Sequence, residues 1–171
     1  MPGRFSFIVG GARSGKSAFS MELAAAMPGR KVYVATAEAL DPEMDERISR
    51  HRLSRGEGWE TVEETIEVEK NVKAIEAGTV VIDCLTIWIS NLMAKGLSDD
   101  EILDRAKKLF CACALSPASV IAVSNEVGLG IVPDNALARR FRDIAGTVNQ
   151  EAAKAASEVW FVASGIPLRM K

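Results

Sequence analysis

The sequence predicts an α/β protein in which a mainly parallel β-sheet is flanked by helices. Short apolar runs rich in β-branched residues recur along the chain, and helical stretches separate them. Nearly continuous apolar runs are typical of parallel strands that are covered on both faces, and strands that alternate with helices form right-handed βαβ units. The predicted strands are 5–9, 31–36, 79–83, 119–124 and 159–163.

A helix is predicted between each pair of consecutive strands. Ser98, followed three residues later by Glu101, forms a capping-box pattern that marks a helix start. Gly146 is a predicted interruption of the longest helix, because glycine weakens a helix interior. No linker, repeat or low-complexity segment divides the sequence, so residues 1–171 are predicted to form a single domain. The predicted helices are 16–27, 65–77, 98–114 and 135–157.

The charge balance argues against a general affinity for polyanions. The chain has 21 Lys and Arg residues against 23 Asp and Glu residues, a formal net charge of −2. Binding to nucleic acid through an overall positive field is therefore not expected, and an anion must bind at a local site. No apolar run has the length needed to cross a bilayer, and no secretion signal precedes the first strand. We expect a cytoplasmic protein without a membrane span.

The three cysteines have neither the spacing of a disulfide framework nor that of a zinc site. Cys111 and Cys113 are predicted to be two small buried thiols on one helix. A metal site is the alternative, but no second cysteine pair is present and the single histidine is far away in sequence. This use of cysteine fits a reducing cytosol.

A glycine-rich motif between the first strand and the first helix matches G-x-x-x-x-G-K-S. Glycines let several backbone N–H groups turn inward around phosphate oxygens. The lysine supplies a cation to the β- and γ-phosphates, the serine hydroxyl can coordinate Mg²⁺, and the helix adds its N-terminal dipole. A glycine-rich turn that binds no phosphate is the alternative, which the strand-loop-helix setting disfavours. The motif predicts a P-loop NTPase-like fold and a phosphate loop made of Gly10, Gly11, Ala12, Arg13, Ser14, Gly15, Lys16 and Ser17.

Asp83 ends the apolar strand 79–83. In proteins with a phosphate loop, an acid at such a position holds Mg²⁺ beside the loop. We therefore expect Ser17 and Asp83 to hold the metal. A strand-terminal aspartate can also be a helix cap or a turn former, and the phosphate loop favours the metal role.

His51 is the single histidine and lies among arginines. On a helix, Arg47, His51 and Arg55 would fall on one face. Two flanking cations lower the pKa of an imidazole, and a neutral imidazole nitrogen is a competent nucleophile toward phosphorus. From spacing alone, a solvated basic face with an incidental histidine is the favoured interpretation.

Several strings along nearly the whole chain carry a family likeness. The phosphate loop with its Ala-Arg interior, residues 33–37 followed by 41–44, and the segment around His51 to Glu63 all contribute. The most specific string is VSNEVGLGIVP at 123–133, which continues into RRFRDIAG at 139–146. On these residues the chain resembles the bifunctional adenosylcobinamide kinase/adenosylcobinamide-phosphate guanylyltransferase family of cobalamin biosynthesis.

The resemblance implies two reactions. The first uses ATP or GTP to phosphorylate the hydroxyl of the aminopropanol arm of adenosylcobinamide. The second transfers GMP from GTP to adenosylcobinamide-phosphate, through a histidine-GMP intermediate, and yields adenosylcobinamide-GDP and pyrophosphate. His51 is the position that matches the nucleophilic histidine of the family.

The resemblance also implies further site residues and a homotrimer whose subunits share a cleft. Lys16 is expected to act with His51 in catalysis, with Mg²⁺ accompanying the nucleotide. In addition to the phosphate loop, the expected nucleotide-binding residues are Ala18, Val34, Ala35, Thr36, Arg52, Leu53, Ser54, Arg55, Glu63 and Asp83.

Two rival functions remain open to the sequence. A simple P-loop kinase of small molecules would carry out no covalent guanylylation, with His51 at the surface. A nucleotide-dependent switch would hydrolyse GTP slowly and use no small-molecule acceptor. The string at 123–133 weighs against both, and no base for the kinase step is evident from the sequence.

Overall fold

The computed structural model describes residues 3–38 and 58–171, which form a seven-stranded sheet and five helices. The strands are β1 Phe5–Gly10, β2 Lys31–Ala35, β3 Trp59–Glu63, β4 Thr79–Asp83, β5 Ser119–Asn125, β6 Glu158–Ala163 and β7 Ile166–Arg169. The helices are α1 Lys16–Ala25, α2 Val68–Ala74, α3 Leu85–Ala94, α4 Asp99–Leu115 and α5 Ala136–Ala155.

The sheet has the strand order β3-β2-β4-β5-β1-β6-β7. The first six of these strands are parallel, and β7 pairs antiparallel with β6. The carboxyl ends of the parallel strands therefore meet at one edge, where ligands bind in open α/β sheets. The α/β class and the mainly parallel sheet are confirmed.

Alternation of side chains along the strands creates two apolar layers. Phe5, Phe7 and Val9 face the larger layer, which contains the buried residues of α2, α3, α4 and α5. Ile8 faces the opposite layer, where Ala24 of α1 packs. The described helices thus cover both faces, which explains why the strands are apolar at nearly every position.

All five predicted strands are present, and three elements were not predicted. β3 is a half-exposed edge strand with two glutamates, and β7 is a four-residue edge strand that contains Pro167. Edge strands lack a continuous apolar pattern, and proline is tolerated there. The third unpredicted element is α3, which follows β4 after one residue.

Two expectations about helices are wrong. α5 runs through Gly146 without interruption, because a single glycine weakens a helix without breaking it. Cys111 is exposed, whereas Cys113 is buried. Residues two positions apart on a helix point in nearly opposite directions, so one apolar face cannot bury both. None of the described helices has the length and apolarity needed to span a membrane.

Candidate active site

The phosphate loop connects β1 to α1, and close backbone packing fixes its shape. A Cβ atom on Gly10 would lie 2.3 Å from the carbonyl oxygen of Val162, so a side chain has no room there. Gly15 has a φ of 98°, and a Cβ atom on it would lie 3.1 Å from the Cα of Gly165. Arg13 also adopts left-handed backbone geometry, with a φ of 54°. Left-handed residues in a loop are a feature of anion-binding nests.

Two buried polar side chains lie inside this loop. Lys16 is 7% exposed, and its Nζ donates a hydrogen bond to the carbonyl oxygen of Gly11 at 2.6 Å. The Ser14 hydroxyl is buried and has no hydrogen-bond partner among the described residues. The carbonyl oxygen of Ser14 accepts a hydrogen bond from the N–H of Gly165 at 2.8 Å. A buried hydroxyl without a partner, in the same loop as a buried lysine, fits a loop that binds an oxyanion.

Asp83 lies at the carboxyl end of β4, next to the first turn of α1. The Ser17 hydroxyl donates to Oδ2 of Asp83 at 3.2 Å, and the Tyr33 hydroxyl donates to the same oxygen at 2.8 Å. The Tyr33 ring packs edge-on against Trp59, with ring centroids 6.3 Å apart. No role in the site was predicted for Tyr33 from the sequence, although a tyrosine in a buried strand usually finds a partner for its hydroxyl.

Thr36 ties the end of β2 to the end of β4. Its hydroxyl donates to the carbonyl oxygen of Cys84 and accepts from the N–H of Cys84, each at 2.8 Å. Asn91 of α3 donates to the carbonyl oxygen of Thr36 at 2.8 Å. Burial raises the pKa of the Cys84 thiol, and the adjacent Asp83 carboxylate adds to this effect. Cys84 therefore stays protonated and holds the strand ends together through its backbone.

The end of β5 places two polar residues beside the phosphate loop. In the parallel register Asn125 lies opposite Gly10, and the N–H of Glu126 donates to the carbonyl oxygen of Gly10 at 2.9 Å. Asn125 donates to the Thr86 hydroxyl at 2.8 Å and accepts a hydrogen bond from Asn149 at its carbonyl oxygen. Asn125 and Glu126 directly follow the predicted strand 119–124, and polar residues at the end of an apolar strand are the sequence signal that could have identified them.

The predicted site residues that the structure describes lie in different environments. Ala12, Arg13 and Ala18 are exposed around the phosphate loop. In contrast, Val34 and Thr36 are fully buried and Ala35 nearly so. Glu63 lies opposite Ala35 at the far edge of the sheet. Four strand spacings, about 19 Å in total, separate that edge from β1, so Glu63 does not contact the phosphate loop.

The predicted nucleophile and its neighbours lie outside the described residues. They are His51, Arg52, Leu53, Ser54 and Arg55. These residues follow β2 and precede β3 in the sequence, and the two strands pair with each other in the sheet.

A phosphate loop at the carboxyl edge of a parallel sheet, with an acid held against its serine, defines a P-loop nucleotide-binding protein. The family model described as cobinamide kinase / cobinamide phosphate guanyltransferase matches residues 6–170. The chain belongs to this family, and it is a kinase and guanylyltransferase enzyme of cobalamin biosynthesis that acts on cobinamide and uses nucleotides.

Curated relatives match over nearly the whole chain. The bifunctional adenosylcobalamin biosynthesis protein CobU of Escherichia coli (strain K12) is 42% identical, over 96% of this chain and 98% of the relative. The bifunctional adenosylcobalamin biosynthesis protein CobP of Pseudomonas aeruginosa is 40% identical, over 96% and 95% of the two chains. A solved structure of an ATPase from the type III secretion system of pathogenic bacteria superposes with a TM-score of 0.60 at 11% identity. It covers 98% of this chain and 57% of the ATPase chain, and it supports the fold alone.

Proposed function

We propose that the phosphate loop binds the triphosphate of the nucleotide, with Lys16 and the loop N–H groups neutralising its charge. The observation that carries this proposal is the contact between the Ser17 hydroxyl and Asp83, 3.2 Å apart, beside the loop. The hydroxyl of the aminopropanol arm of adenosylcobinamide then attacks the γ-phosphorus of ATP or GTP.

The donor set beside the loop fits Mg²⁺. Hydroxyl and carboxylate oxygens suit this hard cation, which is commonly held by one or two protein groups together with substrate phosphates. Among the described residues, no group of three or more His, Cys, Asp or Glu side chains could hold a metal unaided. We therefore propose that Ser17 and Asp83 hold Mg²⁺ together with the nucleotide, where the ion would stabilise negative charge on the phosphates.

In the second reaction, we propose that His51 attacks the α-phosphorus of GTP. An N–P bond forms, the bond to the bridging oxygen breaks, and pyrophosphate leaves. A phosphate oxygen of adenosylcobinamide-phosphate then displaces the imidazole and yields adenosylcobinamide-GDP. His51 is the single histidine of the chain, and Arg47, Arg52 and Arg55 are close in sequence to stabilise the phosphorus centre.

The test is to incubate the protein with Mg²⁺ and GTP labelled at the α-phosphate, denature it, and measure label on the chain. We expect label that is labile in acid and stable in alkali, and that adenosylcobinamide-phosphate discharges. GTP labelled at the γ-phosphate is the matched control and should leave none. His51→Ala should abolish labelling while adenosylcobinamide is still phosphorylated. Labelling that survives in His51→Ala contradicts this nucleophile.

We also propose that the protein is a cytoplasmic homotrimer, as the family resemblance implies. Four exposed apolar residues lie in the segment that runs from the end of β5 to the first turn of α5, and exposed apolar patches mark interaction sites. They are Leu129, Ile131, Val132 and Leu137.

Light scattering tests the trimer. The wild-type protein should have three times the chain mass of 18.4 kDa, and Ile131→Asp should lower that mass. Leu168→Asp changes an exposed apolar residue on β7 and serves as the control. A wild-type monomer contradicts the proposal.

A further inference from the structure

Glu126 is the first residue after β5, and β5 is the neighbour of β1. Its N–H group donates to the carbonyl oxygen of Gly10, at the start of the phosphate loop, at 2.9 Å. This bond fixes the backbone of Glu126 next to the loop. The side chain is only partly buried, so reactants at the carboxyl edge of the sheet can reach it.

The carboxylate of Glu126 retains capacity to accept further hydrogen bonds. Within residues 3–38 and 58–171, its Oε1 accepts a hydrogen bond from the N–H of Gly128 at 2.7 Å, and no lysine or arginine pairs with it. A carboxylate offers about four acceptor positions on its two oxygens. One of its oxygens can therefore be held by the loop while the other accepts from a substrate hydroxyl.

Two other carboxylates at this edge already accept hydrogen bonds from protein groups. Asp83 accepts from Ser17 and Tyr33, which suits a metal ligand. Glu64 caps the backbone N–H groups of Ile66 and Glu67, each at 2.8 Å, and follows β3 at the far edge. Glu126 thus combines a position beside the phosphate loop with an accessible oxygen.

We propose that Glu126 is the general base of the kinase reaction, an inference that rests on the proposed binding of the triphosphate at the phosphate loop. The hydroxyl oxygen of the corrinoid arm forms a bond to the γ-phosphorus. The bond from that phosphorus to the β,γ-bridging oxygen breaks, and the electron pair stays on the nucleoside diphosphate. The hydroxyl proton passes to the Glu126 carboxylate and then to solvent.

Guanylyl transfer gives the proposal its sharpest test, because its acceptor is already a phosphate oxygen and no hydroxyl needs to lose a proton. Glu126→Gln keeps an oxygen that can accept from Gly128 but removes the ability to take a proton. General bases contribute about 10²–10⁴-fold to rate. We expect the kcat for phosphorylation of adenosylcobinamide to fall by this factor, while guanylyl transfer to adenosylcobinamide-phosphate stays within about threefold of the wild type.

Two further variants complete the test. Glu126→Asp keeps the charge and shortens the side chain, so its kinase rate should lie between those of the wild type and Glu126→Gln. Glu64→Gln is the matched control, since this glutamate also follows a strand and accepts backbone hydrogen bonds. It should leave both reactions unchanged.

Three outcomes would overturn the role of Glu126. They are a kinase rate within threefold of the wild type in Glu126→Gln, an equal loss of both reactions, and a slower kinase reaction with aspartate than with glutamine. Lys16→Ala tests the underlying nucleotide site separately. If Lys16→Ala binds and turns over ATP and GTP normally, the proposed function fails, whatever the Glu126 variants do.

Discussion

The Ser17 hydroxyl lies 3.2 Å from Oδ2 of Asp83 and joins the first turn of α1 to the carboxyl end of β4. These residues are 66 positions apart in sequence. Tyr33, on the strand between β3 and β4, donates to the same carboxylate oxygen. The geometry of the proposed metal site therefore depends on three elements and on the register of the sheet.

The first prediction concerns the Asp83 carboxylate. Asp83→Asn keeps the shape of the side chain but removes the charge that would offset Mg²⁺. We expect both reactions to slow by about 10²-fold or more, with partial recovery at high Mg²⁺ concentration. Steady-state rates against Mg²⁺ concentration measure the effect. Tyr33→Phe removes one hydrogen bond and leaves the charge, so it should lower the rates less, by about tenfold. Full activity in Asp83→Asn would rule out the metal role.

The second prediction concerns Gly15 in the phosphate loop. An alanine at a φ of 98° is strained, and its Cβ would lie 3.1 Å from Gly165. Left-handed geometry costs an alanine about 1–2 kcal/mol. In the variant the free loop relieves this strain by relaxing, and GTP binding must restore the strained geometry. Gly15→Ala should therefore weaken GTP binding by about tenfold, because about 1.4 kcal/mol corresponds to a factor of ten. Calorimetric titration with GTP measures this, and unchanged affinity would mean that the loop adapts without loss.

The third prediction concerns Gly146, where a change from glycine to alanine should stabilise the protein. Gly146 lies inside α5, and a Cβ atom there would contact nothing within 4 Å. Alanine is favoured over glycine in a helix interior by about 0.5–1 kcal/mol. Gly146→Ala should raise the free energy of unfolding by about this amount, as measured in urea. A destabilised variant would indicate that a neighbouring subunit packs closely against this face.

The buried part of the fold was predictable because its signals are local. β1, β4 and β5 are apolar at nearly every position and buried, so each run identifies a parallel strand without knowledge of its partners. β3 was not predictable in this way. Its residues Trp59–Glu63 mix apolar, polar and charged side chains at the sheet edge, and they become a strand only by pairing with β2.

The site was predictable to the extent that it is contiguous in sequence. The phosphate loop occupies eight consecutive positions, and Asp83 ends a strand, so both were found. The hydrogen bond from Tyr33 to Asp83 and the position of Glu126 beside Gly10 depend on strand order. No spacing rule connects such residues, because the order of strands in a sheet is decided by tertiary packing.

The fourth prediction concerns the three thiols. Cys111 is exposed, whereas Cys84 and Cys113 are buried, and burial raises the pKa of both buried thiols. Since the thiolate is the reactive form, a maleimide should label one cysteine rapidly in the folded protein and three after unfolding. Cys111→Ser should remove the fast reaction, as measured by mass spectrometry. Rapid labelling of Cys84 would show that the end of β4 opens in solution.

The last prediction concerns the capping box at the start of α4. The Ser98 hydroxyl accepts from the N–H of Glu101 at 3.3 Å, and Glu101 accepts from the N–H of Ser98 at 2.8 Å. Ser98→Ala should lower the free energy of unfolding by about 0.5–2 kcal/mol at neutral pH. Ser98→Thr, which retains the hydroxyl, should restore most of that loss.

The effect of Ser98→Ala should also depend on pH. Hydrogen bonds from the backbone and side chain of Ser98 lower the pKa of Glu101 below its usual 4.5. A lowered pKa in the folded state means that the stabilisation is present above the unfolded value and is lost as the pH falls through the folded value. The difference between wild type and Ser98→Ala should therefore narrow below about pH 4.5 in urea titrations. A difference that stays constant down to pH 2 would exclude a stabilising hydrogen bond from the Ser98 hydroxyl to the ionised Glu101 carboxylate.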